Sequence, residues 1–467
     1  MSIVSMRPDL RRLIALVLLA FLVVLGGCGS GKADSGSVIT NRQAESSQPV
    51  RVPESEPGSE EAGVRETRGD ARASAQSTLN PSEPASERSE EERTGQEGRH
   101  HEPVVSRQDR PPGSKLSQDG NGSGGSAAAG EGADQVTVID GVAYRGYKGP
   151  VQGEVKYKEG TPASENAKTY KASGDIESPY KVDLIVTRDF GHQEMFAKTV
   201  GLVRDEVGME VMFRNLDIQT AYGGGFVNAI NGLESGYTFY TGKDRKKLDW
   251  FYWVNGILAP VGVAEYRPQP GDVIWWDYHD WSVTMFIPAV IGSYPQPFKN
   301  GFWGKNPGTV VMHTPTYQGE AERLKQSLES RGVKQVDTAP YDPEVLREPK
   351  KYYILMGLWD ELAAGSEVLN DVNRRNKLVG VYVKFEDGEV KALDFKGNTV
   401  SSHRRAGAIY AYGSSIGSLY PVWVLTGTDE ESLNRALDIL IDRPGAIKHY
   451  FGAVVTPEGV IRVPYLN

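Results

Sequence analysis

A segment of 32 residues, from Trp250 to Trp281, limits the folds that this chain can adopt. It holds five of the eight tryptophans of the chain. Asn255-Gly256 divides it, and this pair favours a two-residue hairpin turn because both residues tolerate a positive φ angle. A second turn is predicted at Pro268–Asp272, where proline fixes one φ angle and glycine adopts an unusual one. The segment therefore predicts a compact β-structure with strands at Trp250–Val254 and Val273–Tyr278.

The second of these strands carries large side chains on both of its faces. Side chains alternate along a strand, which gives two sets of three: Val273, Trp275 and Asp277, and Ile274, Trp276 and Tyr278. Neither set is polar, so both faces are expected to contact protein or a ligand. A two-sided core strand and a strand with one aromatic face along a cleft both fit this pattern. In the second case, aromatic rings stack on a flat ligand, and the candidate ligand contacts are Tyr252, Trp253, Asn255, Trp276, Tyr278, His279 and Trp281.

Three motifs in this region carry a family resemblance. They are W-x-Y-x-V-N-G from Trp250, V-G-x-x-x-Y from Val261 and P-G-D-x-I-x-W from Pro270. Together they resemble the transcobalamin-like C-terminal domain family, also known as DUF4430, over roughly Tyr180 to Phe286. The resemblance implies a β-grasp-like α+β domain at residues 180–290. In eukaryotic cobalamin carriers the similar domain covers a corrinoid, so the resemblance also implies cobalamin as a candidate ligand.

The upstream sequence follows the element order of such a domain. Strands are predicted at Val182–Val186 and Met195–Val200, with a turn at Phe190-Gly191 between them. A helix near Val203–Phe213 and a short strand at Val227–Gly232 come next. A hairpin, a helix and returning strands are typical of an α+β domain.

The N-terminus has the features of a secretory signal. Three arginines precede an apolar run from Leu13 to Leu25, and Gly26-Gly27-Cys28 follows. The sequence before Cys28 resembles a bacterial lipobox, so residues 1–28 are expected to be a lipoprotein signal peptide with Cys28 as the lipidated residue. An uncleaved transmembrane anchor is the alternative, but the apolar run is shorter than the ~20 residues that a bilayer core requires.

Lipidation of Cys28 implies attachment to the outer face of the cell membrane. A diacylglyceryl cysteine holds a protein stably in a bilayer, because two acyl chains bind far more strongly than one. Cys28 is the only cysteine, so the mature protein is expected to contain no disulfide and no cysteine nucleophile.

Residues 29–135 read as a disordered linker. No Phe, Trp or Tyr occurs from Gly29 to Ala143, and Ser, Glu, Gly, Arg, Pro and Gln dominate. Such a sequence buries too little apolar area to offset its ordering entropy. As a flexible coil, about 105 residues span roughly 50–60 Å. The linker is expected to hold the folded part away from the membrane, into or across a cell wall.

The remaining sequence is assigned to an arm and a second domain. Residues 136–179 are expected to form an extended arm packed on the β-grasp-like unit. Residues 306–467 alternate predicted strands and helices, with a hairpin at Asp387-Gly388, which favours an α/β domain with a mixed sheet. A single helix is predicted at Leu358–Val372. The overall fold class is therefore α+β: a β-grasp-like domain followed by an α/β domain with a mixed sheet, both preceded by a disordered linker.

Catalytic and metal-binding patterns are weak in the α/β domain. Gly427-Thr428-Asp429 before a helix fits either an anion site or an ordinary capped helix. Ser414-Ser415 follows a strand but lacks the G-x-S-x-G motif. His279 and Asp277 share a face of their strand, yet two ligands do not close a metal site. No catalytic residue, metal or cofactor is therefore predicted, and the net charge of −9 argues against nucleic acid as a partner.

Two classes of function remain open from the sequence. The first is an extracytoplasmic lipoprotein that binds a small nutrient, with a corrinoid among the candidates, for uptake and with a transporter as a partner. The second is a cell-wall module whose aromatic residues bind glycan or protein. An exported enzyme that uses the α/β domain is the least supported alternative.

Overall fold

The computed structural model describes residues 135–149, 153–155, 167–221, 224–415 and 417–466. The predicted signal peptide, Cys28 and most of the predicted linker lie outside these residues. The first described strands are β1 (Val136–Ile139), β2 (Val142–Arg145), β3 (Glu154–Val155) and β4 (Lys168–Tyr170). β1 and β2 form an antiparallel hairpin. In the segment predicted to be an extended arm, β4 pairs with the following domain as part of a sheet.

Residues 180–290, which we call the central domain, contribute all five strands of one sheet and three of the five strands of a second sheet. Its elements are β5 (Lys181–Arg188), β6 (Gln193–Gly201), α1 (Gly208–Asn215), β7 (Ile218–Ala221), β8 (Phe226–Ile230), β9 (Leu233–Glu234), β10 (Leu248–Val254), β11 (Ile257–Leu258) and β12 (Val273–Asp280). One sheet has the order β11-β10-β12-β5-β6, in which β12 and β5 are parallel. The other has the order β3-β4-β7-β8-β9.

The C-terminal domain, residues 306–466, contains a seven-stranded mixed sheet. Its elements are β13 (Thr309–His313), α2 (Gln318–Ser330), β14 (Val336–Pro340), β15 (Tyr352–Leu358), α3 (Trp359–Ala363), α4 (Glu367–Arg374), β16 (Val383–Glu386), β17 (Glu389–Leu393), β18 (Thr399–His403), β19 (Gly407–Tyr412), β20 (Val422–Gly427), α5 (Glu430–Asp442), β21 (Gly452–Thr456) and β22 (Gly459–Val463). The sheet order is β14-β13-β15-β20-β19-β21-β22, and β16-β17-β18 form a small separate sheet.

The predicted α+β fold class is confirmed, and the large sheet is mixed. Its strands β14, β13, β15 and β20 are parallel to one another. The pairs β20-β19, β19-β21 and β21-β22 are antiparallel. The described residues also contain short 3₁₀ helices at Gly242–Asp244, Pro315–Tyr317, Pro343–Arg347, Asn376–Leu378 and Pro444–Ile447.

Two predicted helices have different bounds in the structure. The helix predicted near Val203–Phe213 begins only at Gly208, because Asp205 has a φ angle of +64° that a right-handed helix excludes. The single helix predicted at Leu358–Val372 is divided into α3 and α4. Gly365 has a φ angle of +73°, and the hydroxyl of Ser366 accepts a hydrogen bond from the backbone N–H of Leu369 to start a new helix.

The central sheet is covered on both of its faces. Leu184, Ile274 and Trp276 belong to the core that includes α1. Trp253 and Trp275 belong to a different core, which they share with many residues of the C-terminal domain. The alternation predicted for β12 is therefore confirmed, and the strand is a two-sided core strand.

The hairpin between β5 and β6 shows how closely the two domains pack. Gly191 has a φ angle of +79°. A Cβ atom at this position would lie 2.0 Å from the backbone carbonyl oxygen of His449. Only glycine fits at such a contact, so the turn of the central domain rests directly on the backbone of the C-terminal domain.

One buried carboxylate, Asp272, joins the two predicted turns of the aromatic segment. Its Oδ1 atom accepts hydrogen bonds from Nδ2 of Asn255 and Nδ2 of Asn300, both at 2.8 Å. Its Oδ2 atom accepts from the hydroxyl of Tyr266 at 2.6 Å and from the backbone N–H of Gln269 at 2.7 Å. Four donors satisfy a buried carboxylate. The three sequence motifs therefore meet at a single structural point.

We expect Asp272→Ala to lower the free energy of unfolding by about 3–4 kcal/mol, because several buried donors lose their acceptor at once. Urea denaturation measures this change. Asp280→Ala is the matched control, since Asp280 is only partly buried and its side chain accepts from the backbone N–H of Ser282. Equal stability losses in the two variants would contradict a framework role for Asp272.

Candidate functional site

The aromatic residues predicted to contact a ligand lie inside the protein. Trp253 is fully buried, and its Nε1 donates to the backbone carbonyl of Ile287 at 2.8 Å. Trp276 is buried, and its ring stacks on Tyr252 with a centroid distance of 4.7 Å. Tyr252 is partly buried and its hydroxyl donates to the carbonyl of Val261. These rings therefore pack against protein rather than along an open cleft.

The remaining predicted contacts at this end of β12 are also enclosed. Tyr278 packs on Trp250 with a centroid distance of 5.1 Å, and burial raises the pKa of its hydroxyl to about 12. Trp281 is 9% exposed and packs edge-on against Tyr237. Asn255 is fully buried, and its amide is used within the Asp272 network. The alternation of the sequence predicted the two faces of β12, but it did not show that other parts of the protein cover these side chains.

A polar network runs through the apolar contact between the two domains. Asp277 is fully buried and accepts from the Thr187 hydroxyl at 2.5 Å. It also accepts from the backbone N–H groups of Phe190 at 3.0 Å and Gly191 at 2.8 Å. Nε1 of Trp275 donates to the Thr187 hydroxyl at 2.8 Å. The carboxylate thus fixes the β5–β6 turn that contacts the C-terminal domain.

His279 belongs to this network rather than to an open site. Its Nδ1 lies 2.8 Å from Oδ1 of Asp277, and its side chain is 1% exposed. The ring lies between Phe190 and Phe251, with centroid distances of 4.5 and 4.7 Å. Among the described residues, no group of three or more His, Cys, Asp or Glu side chains is placed to hold a metal ion.

A cavity of about 540 Å³ opens between α4 and the segment that follows β12. This volume lies in the range of small-molecule sites. We name it the α4 cavity. Its apolar lining comprises Met285, Phe286, Pro288, Leu346, Val368, Val372, Leu378, Val379 and Tyr412. The backbone turn at Gly413-Ser414-Ser415 closes one side of it.

The charged groups that line the α4 cavity are already paired. Arg347 contacts Glu367 at 3.0 Å, and Arg375 contacts Asp371 at 3.0 Å. Hydrogen bonds, first to Glu344 and then to Glu367, raise the pKa of Arg347. Because each cation has a carboxylate partner, the lining attracts neither an anion nor a cation strongly, and an uncharged ligand fits it best.

Tyr412 is the distinctive polar residue of the α4 cavity. Its side chain is 1% exposed, and its hydroxyl has no hydrogen-bond partner in the part of the chain that the structure describes. Burial raises its pKa well above the ordinary value, so the hydroxyl stays neutral. A buried hydroxyl without a partner costs about 1–3 kcal/mol. Sequence reasoning missed Tyr412, because its pattern is that of an ordinary strand residue.

The usual ligand position of a parallel α/β sheet is filled here. Such ligands bind beyond the carboxyl ends of the strands where the strand order reverses, between β13 and β15 in this sheet. A Cβ at Gly357 would lie 2.5 Å from Cγ2 of Thr314. The hydroxyl of Thr314 donates to Glu361 at 2.6 Å. Close packing and a carboxylate therefore disfavour a phosphate ligand at this edge.

The structure also shows the contacts of two further segments considered from the sequence, Gly427-Thr428-Asp429 and Ser414-Ser415. Asp429 accepts from the backbone N–H of Ser432 at 2.8 Å and caps α5. The hydroxyl of Ser414 lies 3.3 Å from that of Ser418. No histidine or cysteine occurs among the residues that line the α4 cavity next to Ser414.

We expect the free energy of unfolding to fall as the pH drops from about 6.5 to about 4, because His449 resists protonation in the folded protein. Burial, followed by the charges of Lys448 and Arg462, lowers its pKa to about 4. The unfolded chain binds this proton at the ordinary pKa of 6.5, so protonation favours unfolding. One such group contributes at most about 1.4 kcal/mol per pH unit. Urea denaturation at a series of pH values measures the slope.

The control for this experiment compares the wild type with a His449 variant, because Asp249 titrates in the same pH range with the opposite effect on stability. His449→Asn removes the titrating ring and keeps a residue type that tolerates the φ angle of +62°. Burial raises the pKa of Asp249 from 3.8 to about 6, so this carboxyl contributes stability that is lost as the pH rises across that interval. The difference between wild type and variant isolates His449. Identical slopes in the two proteins would contradict the assignment.

Comparison with known proteins bears on the central domain. No curated protein matches the chain. In the part of the chain that the structure describes, no helix is long and apolar enough to cross a membrane. The family described as a domain of unknown function, DUF4430, matches residues 205–280, from the residues before α1 to the end of β12. The match includes the Asn255, Tyr266 and Asp272 network. The predicted family is thus confirmed for this segment: residues 205–280 match DUF4430.

Proposed function

We propose that the protein is a lipid-anchored binding protein on the outer face of the cell membrane, and that it holds a small uncharged nutrient in the α4 cavity for uptake. The observation that carries this proposal is a cavity of about 540 Å³ whose lining includes Tyr412, a residue with an unpartnered buried hydroxyl. Because the hydroxyl is shielded from solvent, a ligand in the cavity reaches it when the surrounding side chains shift. The hydrogen bond that it then gains relieves an existing cost.

The chemistry of the lining supports an uncharged, partly apolar ligand. The paired charges of Arg347 and Arg375 stay balanced when such a ligand binds. Phe286, Leu346 and Val372 supply apolar contact, while Ser414 and Ser415 supply hydroxyls at one side. We infer binding without catalysis, since the cavity lining offers no histidine or lysine to activate a serine.

A corrinoid is one candidate within this proposal. The aromatic residues first considered as its contacts are buried between protein layers, so the α4 cavity replaces them as the position to test. Cobalamin, a neutral N-acetylated disaccharide and a nucleoside are suitable probes, because each combines an apolar or ring surface with uncharged polar groups.

We expect Tyr412→Phe to have opposite effects on stability and on binding. Removal of an unpartnered buried hydroxyl raises the free energy of unfolding by about 1 kcal/mol. Loss of its hydrogen bond to the ligand weakens binding about 2- to 10-fold. Thermal unfolding of the free protein and calorimetric titration with the three probes measure the two effects.

Tyr410→Phe is the matched control for this variant. Tyr410 lies two residues earlier on the same strand, packs in the same core and does not line the cavity. Its replacement leaves the affinity for the probes unchanged. If none of the three probes binds, and if native mass spectrometry of the purified protein finds no retained small molecule, the binding proposal is wrong.

We expect Cys28→Ser to move the protein from the membrane fraction to the soluble fraction. The wild-type protein incorporates labelled fatty acid as the acyl chains of a diacylglyceryl group on the Cys28 sulfur, and the variant, which lacks this sulfur, does not. Ser30→Ala serves as the control and keeps both properties. Retention of Cys28→Ser in the membrane would favour an uncleaved anchor at Leu13–Leu25 instead.

A further inference from the structure

The Lys243–Lys247 loop, which reads Lys-Asp-Arg-Lys-Lys, concentrates positive charge on a protein of net charge −9. It precedes β10 at one end of the central sheet. Four of its five residues are cations. In the part of the chain that the structure describes, none of the four forms an ion pair with a carboxylate. Among the described residues, the loop therefore lacks carboxylate partners such as those that Arg347 and Arg375 have at the α4 cavity.

Two of the loop cations lie over aromatic rings. The guanidinium carbon of Arg245 is 4.9 Å from the ring centre of Tyr237, and Nζ of Lys247 is 5.2 Å from the ring of Trp281. The two rings contact each other edge-on at 5.1 Å. Cation–π contacts hold a charged side chain in place without neutralising it, so both cations remain available to an anion.

Backbone hydrogen bonds fix the position of the loop. The N–H of Lys246 donates to the carbonyl of Gly236 at 2.8 Å. The N–H of Trp281 donates to the carbonyl of Lys247 at 2.9 Å, and Nε of Arg245 donates to the carbonyl of Tyr240 at 3.0 Å. A loop that is already ordered loses little conformational entropy when it binds a partner.

The acidic groups around the loop do not cancel its charge. Asp244 lies within it. Glu234 accepts from the hydroxyl of Tyr240 at 3.1 Å, and Asp280 caps the backbone at Ser282. Asp249 is buried, and its carboxylate accepts from the backbone N–H of Trp250 at 3.0 Å. The exposed residues Lys243, Lys246 and Lys247 therefore face solvent with an excess of positive charge.

We propose that the Lys243–Lys247 loop binds a linear phosphate-bearing polyanion. Neutralisation of several phosphates by several cations on an ordered loop releases their counterions and drives association. A membrane surface fits less well, because among the described residues beside the loop only Tyr240, at 38% exposure, is a large exposed apolar side chain that could enter a bilayer. A nucleic acid also fits less well, since unpaired bases require exposed rings for stacking and Trp281 is 9% exposed.

This surface is separate from the proposed nutrient site. None of its residues lines the α4 cavity. The two proposals therefore fail or hold independently.

The test measures binding of full-length protein in detergent to labelled inorganic polyphosphate by fluorescence anisotropy over a series of salt concentrations. With four cations engaged, the logarithm of the association constant falls with the logarithm of salt concentration with a slope of about −3. Lys243→Gln combined with Lys246→Gln removes two charges that do not lie over rings. This double variant weakens binding about 10- to 30-fold and makes the slope about 1.4 less negative.

The control is the double variant Lys350→Gln and Lys351→Gln, an exposed lysine pair of the C-terminal domain, which leaves both quantities unchanged. An equal loss in the control overturns the assignment to the loop. The comparisons with vesicles and with DNA use the Cys28→Ser protein without detergent, so that a lipid anchor does not contribute. Tighter binding of this protein to phosphatidylglycerol vesicles or to single-stranded DNA than to polyphosphate, at equal phosphate concentration, overturns the class of partner. Circular dichroism confirms that both variants remain folded, and Tyr412→Phe binds polyphosphate like the wild type.

Discussion

Burial of both faces of β12 is the constraint on which the rest of the structure depends. On the side of the central sheet that faces α1, the central domain itself buries Ile274, Trp276 and Tyr278. The side chains on the other face of β12, which include Trp275 and Asp277, require a second layer of protein to bury them. The C-terminal domain supplies that layer and shares one apolar core with it. The two domains are therefore coupled by the hydrophobic effect rather than by a polar interface.

Polar groups inside this contact specify its geometry. Asp277 would be costly in an apolar core without partners, and two backbone N–H groups, a hydroxyl and His279 supply them. Because two of these donors belong to the β5–β6 turn, the network requires one conformation of that turn. Gly191 then meets the backbone of His449. A sequence pattern that resembles a ligand site thus serves to orient two domains.

The sequence predicted the strands of the central domain well because alternation and the Asn-Gly and Pro-Gly turns are local signals. It also predicted which residues of β12 share a face. It did not predict the division between α3 and α4, which depends on a positive φ angle at Gly365. Nor did it predict the α4 cavity, whose lining comes from residues 285–288, 346–379 and 412–415. Contacts between residues so far apart in the chain have no periodic signature, so Tyr412 read only as a strand residue.

The family motifs owe their spacing to one carboxylate. Asn255, Tyr266 and Asp272 are each fully buried, and they bond to one another. A change at any of the three removes at least one buried hydrogen bond from another member of the network, so the three residues stabilise the fold together. In this chain, the three residues of the matched segment that form this network therefore build the framework. We propose recognition in residues outside the motif, at the α4 cavity for a neutral molecule and at the Lys243–Lys247 loop for an anion.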